Sequence, residues 1–98
     1  MNYVYVMYSN SLDKYYIGET IDLDNRIKKH NSGFYGTSFT SQVKDWKLFY
    51  SIECENRNQA RKIETHIKKM KSKTYIQSLK TYPEITIKLK QKYSDIPQ

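Results

Sequence analysis

Residues 2–8, Asn-Tyr-Val-Tyr-Val-Met-Tyr, are rich in β-branched and aromatic side chains, the composition of a strand. Alternation sends Tyr3, Tyr5 and Met7 to one face and Val4, Val6 and Tyr8 to the other. Neither set is polar, so the strand is expected to be covered on both sides. Ser9-Asn10-Ser11-Leu12-Asp13 has turn chemistry, and residues 14–19 return as the partner of a hairpin. Tyr16 and Gly18 share one face of that second strand, Tyr15 and Ile17 the other. A glycine inside a strand gives up packing and often marks a close approach by another group.

The period then changes. Thr20 or Asp22 caps a helix whose buried stripe is Leu23 and Ile27, with His30 one turn further on. Arg26 and His30 stand at i, i+4 and share the adjacent stripe. Asn31-Ser32-Gly33 ends this helix. Residues 31–45 form a polar, Ser/Thr/Gly-rich connection, and a loop of that length in so short a chain is usually functional or mobile. Residues 46–53 predict a third strand with Trp46, Leu48, Tyr50 and Ile52 on one face.

Asn56 caps a second helix, with Gln59 completing a capping-box pattern. Ala60, Ile63, Ile67 and Met70 make its core stripe, and Glu64 lies at the edge of that stripe. Ser72 caps a short helix over residues 73–80. Pro83, at a first-turn position, starts a last helix through Tyr93, in which Ile85, Leu89 and Tyr93 fall at i, i+4 and i+8. Residues 85–89 also alternate with period two, which leaves a strand open there; the helix is preferred. There is no internal repeat and no low-complexity tract.

Ninety-eight residues hold one domain, read as residues 1–80 with a basic helical extension of the same domain over 81–98. Residues 1–60 carry seven Lys/Arg against seven Asp/Glu, while residues 61–98 carry ten against three, so the whole net charge of +7 resides in the last third. A basic segment on a neutral domain favours a polyanionic partner, nucleic acid or an acidic membrane surface; a solvated Lys-rich helix face accounts for the charge equally well. The single cysteine, Cys54, excludes a disulfide framework and any multi-cysteine metal site and fits small buried filler near a strand end. Met1 runs straight into strand-like residues without a signal peptide, and no apolar run approaches a membrane span. A cytoplasmic protein is expected.

Two strands and a helix would gather Tyr5, Tyr16, Arg26 and His30 around one point. Tyr3-Val4-Tyr5, then Tyr16-Ile17-Gly18, then Arg26, His30 and the later Glu64 resemble a GIY-YIG nuclease domain in order and spacing. The His30-Asn31-Ser32-Gly33 turn and the 46–53 strand extend the likeness to roughly residues 2–75. It is nearest to small stand-alone bacterial members, and it takes in the N-terminal nuclease domain of the bacterial excinuclease.

The resemblance implies an α+β fold, a central three-stranded antiparallel sheet flanked by helices. It also implies endonucleolytic hydrolysis of phosphodiester bonds in DNA, with RNA also open, by one divalent metal ion, Mg²⁺ or Mn²⁺. Position by position, Tyr5 and Tyr16 match the two motif tyrosines and Gly18 the glycine that ends the second motif. Arg26 matches the phosphate-contacting arginine and Glu64 the metal-binding glutamate. Tyr5, Tyr16 or His30 would orient or deprotonate the attacking water.

The residue types suit this chemistry. A guanidinium holds two phosphoryl oxygens and keeps its proton. Mg²⁺ retains several waters and needs only one or two carboxylates beside substrate oxygens. A free phenol near pKa 10 is a poor base at pH 7, whereas an ordinary imidazole needs no help.

Each residue also has a plainer role: Tyr5 and Tyr16 as sheet packing, Arg26 paired with Asp22, His30 at a helix C-terminus, Glu64 paired with Lys68. The chain departs from the family pattern at Tyr3 and at Glu19, where excinuclease-type domains often place a lysine, so an auxiliary cation must come from elsewhere. The asparagine that many members carry after the metal glutamate has no counterpart, and Lys68, Lys69, Lys71 and Lys73 occupy that region as candidate contacts to a nucleic-acid backbone. No recognition domain accompanies the fold, so low sequence specificity is expected, with a role in DNA repair or recombination. A non-catalytic nucleic-acid-binding module is the alternative.

Overall fold

In the computed structural model, which describes residues 1–94, β1 (Asn2–Ser9) lies between β2 (Lys14–Thr20) and β3 (Lys47–Cys54) in one antiparallel sheet. The helices are α1 (Leu23–Asn31), α2 (Arg57–Met70), α3 (Lys73–Thr81) and α4 (Pro83–Lys92). This is the α+β arrangement expected from the sequence. β1 takes the centre because both its faces are apolar: Val4, Tyr5, Val6 and Met7 are each at most 1% exposed.

The two faces of β1 define two cores. Val4 and Val6 pack with Ile17, Ile52 and the α2 stripe of Ala60, Ile63 and Ile67, and Ile76, Leu79 and Leu89 of α3 and α4 extend the same cluster. Tyr5 and Met7 pack with Trp46 beneath Leu23 and Ile27 of α1. Thus α2, α3 and α4 cover one side of the sheet, and α1 with the 31–46 connection covers the other. Burying each of Ile63, Ile67 and Leu79 contributes roughly 2 kcal/mol, which holds short, Lys-rich helices in place. Among the described residues no helix is long and apolar enough to cross a membrane.

Local chemistry places the helix starts. Asp22 accepts from the Asn25 amide, Asn56 from that of Gln59 and Ser72 from that of Tyr75. Gln59 does not close an ordinary capping box: its Oε1 accepts from the Glu55 amide at 2.7 Å, and its Nε2 donates to the Lys90 carbonyl at 2.9 Å. This buried side chain, with the Tyr50–Thr86 hydroxyl pair at 2.6 Å, fastens α4 to the core. Pro83–Lys92 is therefore helical, and its period-two alternation is incidental. Residues 95–98, part of the expected basic extension, lie outside the described residues.

Two expectations are corrected. Val6 pairs with Tyr50 but Met7 with Leu48, so Phe49 is an extra residue in a β-bulge. The bulge splits the stripe read from the sequence: Trp46 joins the Tyr5 face, Tyr50 and Ile52 the Val4 face, and Leu48 is left 45% exposed. Met70 is 46% exposed rather than in the core. The helix ends there, with Lys71 at φ 47° turning the chain, and Ile76 and Leu79 of α3 continue the buried stripe. Cys54 is buried at the end of β3, as expected.

Gly18 sits opposite Tyr5 across the β1–β2 ladder, and the phenol crosses the strand there. A Cβ at Gly18 would stand 2.5 Å from the Tyr5 hydroxyl oxygen and 2.6 Å from Cζ. The ring is packed in the core and cannot swing aside. Gly18→Ala should therefore destabilise the fold by about 1–3 kcal/mol, the range for overpacking a core; a urea midpoint equal to that of the parent protein would refute this close approach.

Candidate active site

The side of the sheet under α1 carries a polar chain inside an apolar core. The Tyr5 hydroxyl lies 3.0 Å from His30 Nε2, and His30 Nδ1 lies 2.7 Å from Thr40 Oγ1. All three residues are buried, with His30 only 4% exposed. A neutral imidazole has one donor and one acceptor nitrogen. Either Tyr5 donates to His30 and His30 to Thr40, or both bonds run the other way.

Thr40 is delivered by the long 31–45 connection, which is tightly fastened. Trp46 Nε1 donates to the Thr40 carbonyl at 2.8 Å, and Asn31 clamps the Trp46 backbone through both its amide atoms.

Burial sets the protonation of this chain. It raises the Tyr5 phenol well above its ordinary value, with neighbouring Tyr16 adding to the rise and Arg26 offsetting part of it by charge and hydrogen bond. Burial, then the Arg26 charge, lowers His30 to about 4. Both groups are neutral at pH 7. His30 is thus a weaker base at rest than an ordinary histidine, contrary to the expectation that it needs no help.

Tyr16, half-buried, packs 5.1 Å from the His30 ring and 6.4 Å from that of Tyr5. Tyr35 lies 4.7 Å from His30 on another side, with the Arg26 guanidinium 5.9 Å above its ring. Arg26 does not pair with Asp22 through its side chain, and among the described residues it has no carboxylate partner. It opens into a cleft of about 250 Å³ at the C-terminal end of β2, shared with Glu19, Thr20 and Arg57.

The structure brings Tyr5, Tyr16, Arg26 and His30 together, with Gly18 providing the space. It does not bring Glu64 into contact with them. Glu64 stands on α2, across the sheet from α1, with Lys68 Nζ 2.9 Å from its carboxylate and its side chain 18% exposed. Lys73 is engaged with Asp13 at 3.1 Å. Lys69 lines a separate groove with Tyr93, and Lys71 lines a cleft beside β2.

Sequence reasoning missed Tyr35, Thr40 and Arg57. An aromatic pair, Phe34-Tyr35, inside a polar loop was a usable signal for Tyr35. Thr40 was one hydroxyl among many, and Arg57 was hidden behind its role as first residue of a helix.

The depressed His30 has a measurable consequence. The unfolded chain takes up the imidazole proton near pH 6.5, whereas the folded chain does so only near 4. Stability is therefore full above pH 6.5 and falls progressively as pH drops towards 4, by up to about 3 kcal/mol. Chemical denaturation at pH 7 and pH 4.5 should show this loss. A His30→Gln variant should lack this component, and equal pH dependence in the two proteins would refute it.

Comparison with known proteins shows the family. Residues 1–77 match the GIY-YIG catalytic domain. A UPF0213 protein of Syntrophus aciditrophicus is 34% identical over 84 residues, covering 85% of this chain and 94% of the relative. A UPF0213 protein of Clostridium perfringens is 39% identical over 70 residues, covering 71% and 73%. No solved structure matches the chain. The family match spans the whole sheet, α1, α2 and the start of α3, which is every element that supplies a motif residue, and this chain belongs to the GIY-YIG family.

Proposed function

We propose that the protein is a divalent-metal-dependent endonuclease that hydrolyses phosphodiester bonds in DNA, with low sequence specificity, in repair or recombination. The observation that carries this reading is the convergence of Tyr5, Tyr16, His30 and Arg26 from β1, β2 and α1, with the Arg26 charge uncompensated by any described carboxylate. Arg26 grips the phosphoryl oxygens, where negative charge grows during attack.

The chain of hydrogen bonds behind Arg26 gives the water proton a route. It passes to the Tyr5 oxygen as the Tyr5 proton moves to His30 Nε2, and the resulting imidazolium donates from Nδ1 to Thr40 Oγ1. The Arg26 charge helps keep His30 neutral at rest. A phosphate bound to Arg26 offsets that charge, so His30 gains basicity when substrate is present. Tyr16 lines the more open side of His30 and orients the water.

Glu64 fits Mg²⁺ or Mn²⁺ in donor type, being a single, partly exposed hard oxygen ligand. Among the described residues no group of three or more His, Cys, Asp or Glu gathers for a metal, so Glu64 would hold the ion with waters and substrate oxygens. When bound, such an ion stabilises charge on the phosphoryl and leaving oxygens.

One observation favours the second reading, a non-catalytic nucleic-acid-binding module: Lys68 occupies the Glu64 carboxylate.

Cleavage of a panel of branched, flapped, nicked and linear DNA, with RNA counterparts, decides between them. Metal-dependent cleavage is expected, reduced by about 10²-fold or more in Arg26→Ala and Glu64→Ala. Tyr5→Phe should lose cleavage and keep binding. Undiminished cleavage by both Arg26→Ala and Glu64→Ala refutes the assigned site, and salt-sensitive binding without cleavage in any metal establishes the module.

A further inference from the structure

Arg57, Glu64 and Lys68 recur on α2 at i, i+7 and i+11, which is one stripe of the helix. Its two ends are tied to the two ends of β2. At one end Arg57 Nε lies 3.4 Å from Glu19 Oε1, and the two share the Arg26 cleft. At the other, Lys68 shares a second cleft of about 200 Å³ with Lys14, Tyr15 and Lys71. β2 is an edge strand, so nothing in the described sheet lies beyond it.

We propose that this stripe and β2 together form a track for one nucleic-acid strand, with a phosphate subsite at each end and Glu64 between them. The inference rests on the endonuclease reading for its substrate class; it adds Arg57 as a substrate-positioning residue and gives Lys71, already a candidate backbone contact, its place in the far subsite. Arg57 supplies, from α2, the auxiliary cation that Glu19 denies to β2. The Arg57–Glu19 pair is exposed on the Arg57 side, which is 68% accessible, so a phosphate reaches the guanidinium and takes the place of the carboxylate.

The far subsite holds four lysines and no acid in its lining. Lys68 and Lys73 are engaged by Glu64 and Asp13, whereas among the described residues Lys14 and Lys71 have no ion pair. Lys71, the left-handed C-cap of α2, starts from that cleft where the helix ends. From Lys14 to Glu19 the strand runs about 17 Å, long enough to keep two phosphate subsites apart along one strand.

The test is fluorescence-anisotropy binding of labelled single-stranded and duplex DNA to the full chain in EDTA, as a function of salt. Arg57→Gln and Lys71→Gln should each weaken binding about 3–10-fold and flatten the log–log salt slope by about 0.7–0.9 for each phosphate no longer neutralised. Lys62→Gln, in the separate groove beside Tyr93, should change neither. Glu19→Gln should tighten binding through Arg57, and the gain should vanish in the Glu19→Gln/Arg57→Gln double variant. Thermal unfolding of each variant establishes that the fold is intact. Parent-like binding by Arg57→Gln and Lys71→Gln, with cleavage by the parent protein intact, overturns the track and leaves the endonuclease reading standing. No nucleic-acid binding by the parent protein overturns both.

Discussion

The Tyr5 hydroxyl is a polar atom in the middle of an apolar face, and much of that side of the molecule follows from it. A buried hydroxyl without a partner costs about 1–3 kcal/mol, so α1 must end with a side chain that can meet it. His30 does so at 3.0 Å, and then carries the same obligation at its other nitrogen. The 31–45 connection must therefore deliver Thr40, and Trp46 and Asn31 hold that connection against β3. A sequence of satisfied polar groups thus runs from β1 to the start of β3, and among the described residues no buried side-chain polar atom is left without a partner.

The opposite face is built without such obligations. Val4, Val6, Ile17, Ile52 and the α2 stripe are held by area alone, while Gln59 and the Tyr50–Thr86 hydroxyl pair tie in α4. The apolar side holds the sheet and α2 rigid, with Arg57 and Glu64 on the outer surface of that helix, and burial on the α1 side keeps Tyr5 and His30 neutral. Gly18 is where the two demands meet, because only an absent side chain on β2 lets the Tyr5 hydroxyl reach His30.

Much of this was legible from residue order. The alternation of residues 2–8, the caps at Asp22, Asn56 and Ser72, and the i, i+4 pairing of Arg26 with His30 act over a few residues and leave their mark in the sequence. What escaped reading depended on longer range. The Phe49 bulge is a property of how β3 meets β1, so no period within residues 46–53 reveals it, and it moved Trp46 and Leu48 off the expected face. Thr40 matters because of His30, ten residues away. The His30 proton affinity depends on burial by the whole α1 side, and Arg57 matters only because α2 returns beside Glu19. Those facts belong to the tertiary structure.

Charge pairing explains how a site rich in cations rests without its anion. Arg57 is held by Glu19 and Glu64 by Lys68, each pair with one well-exposed partner. Exposed pairs of this kind contribute at most about 1 kcal/mol each. In the proposed complex a phosphate would displace Glu19 from Arg57, an exchange favoured by the exposure and weakness of the resting pair. A divalent cation held by Glu64, as the proposed function requires, would likewise displace Lys68, since it brings twice the charge to the carboxylate. Both resting pairs are weak enough to be exchanged, and the two exchanges are complementary. Under the proposed function the two exchanges would be coupled along one stripe of α2, because a cation taking the Glu64 carboxylate would release Lys68 beside the second cleft.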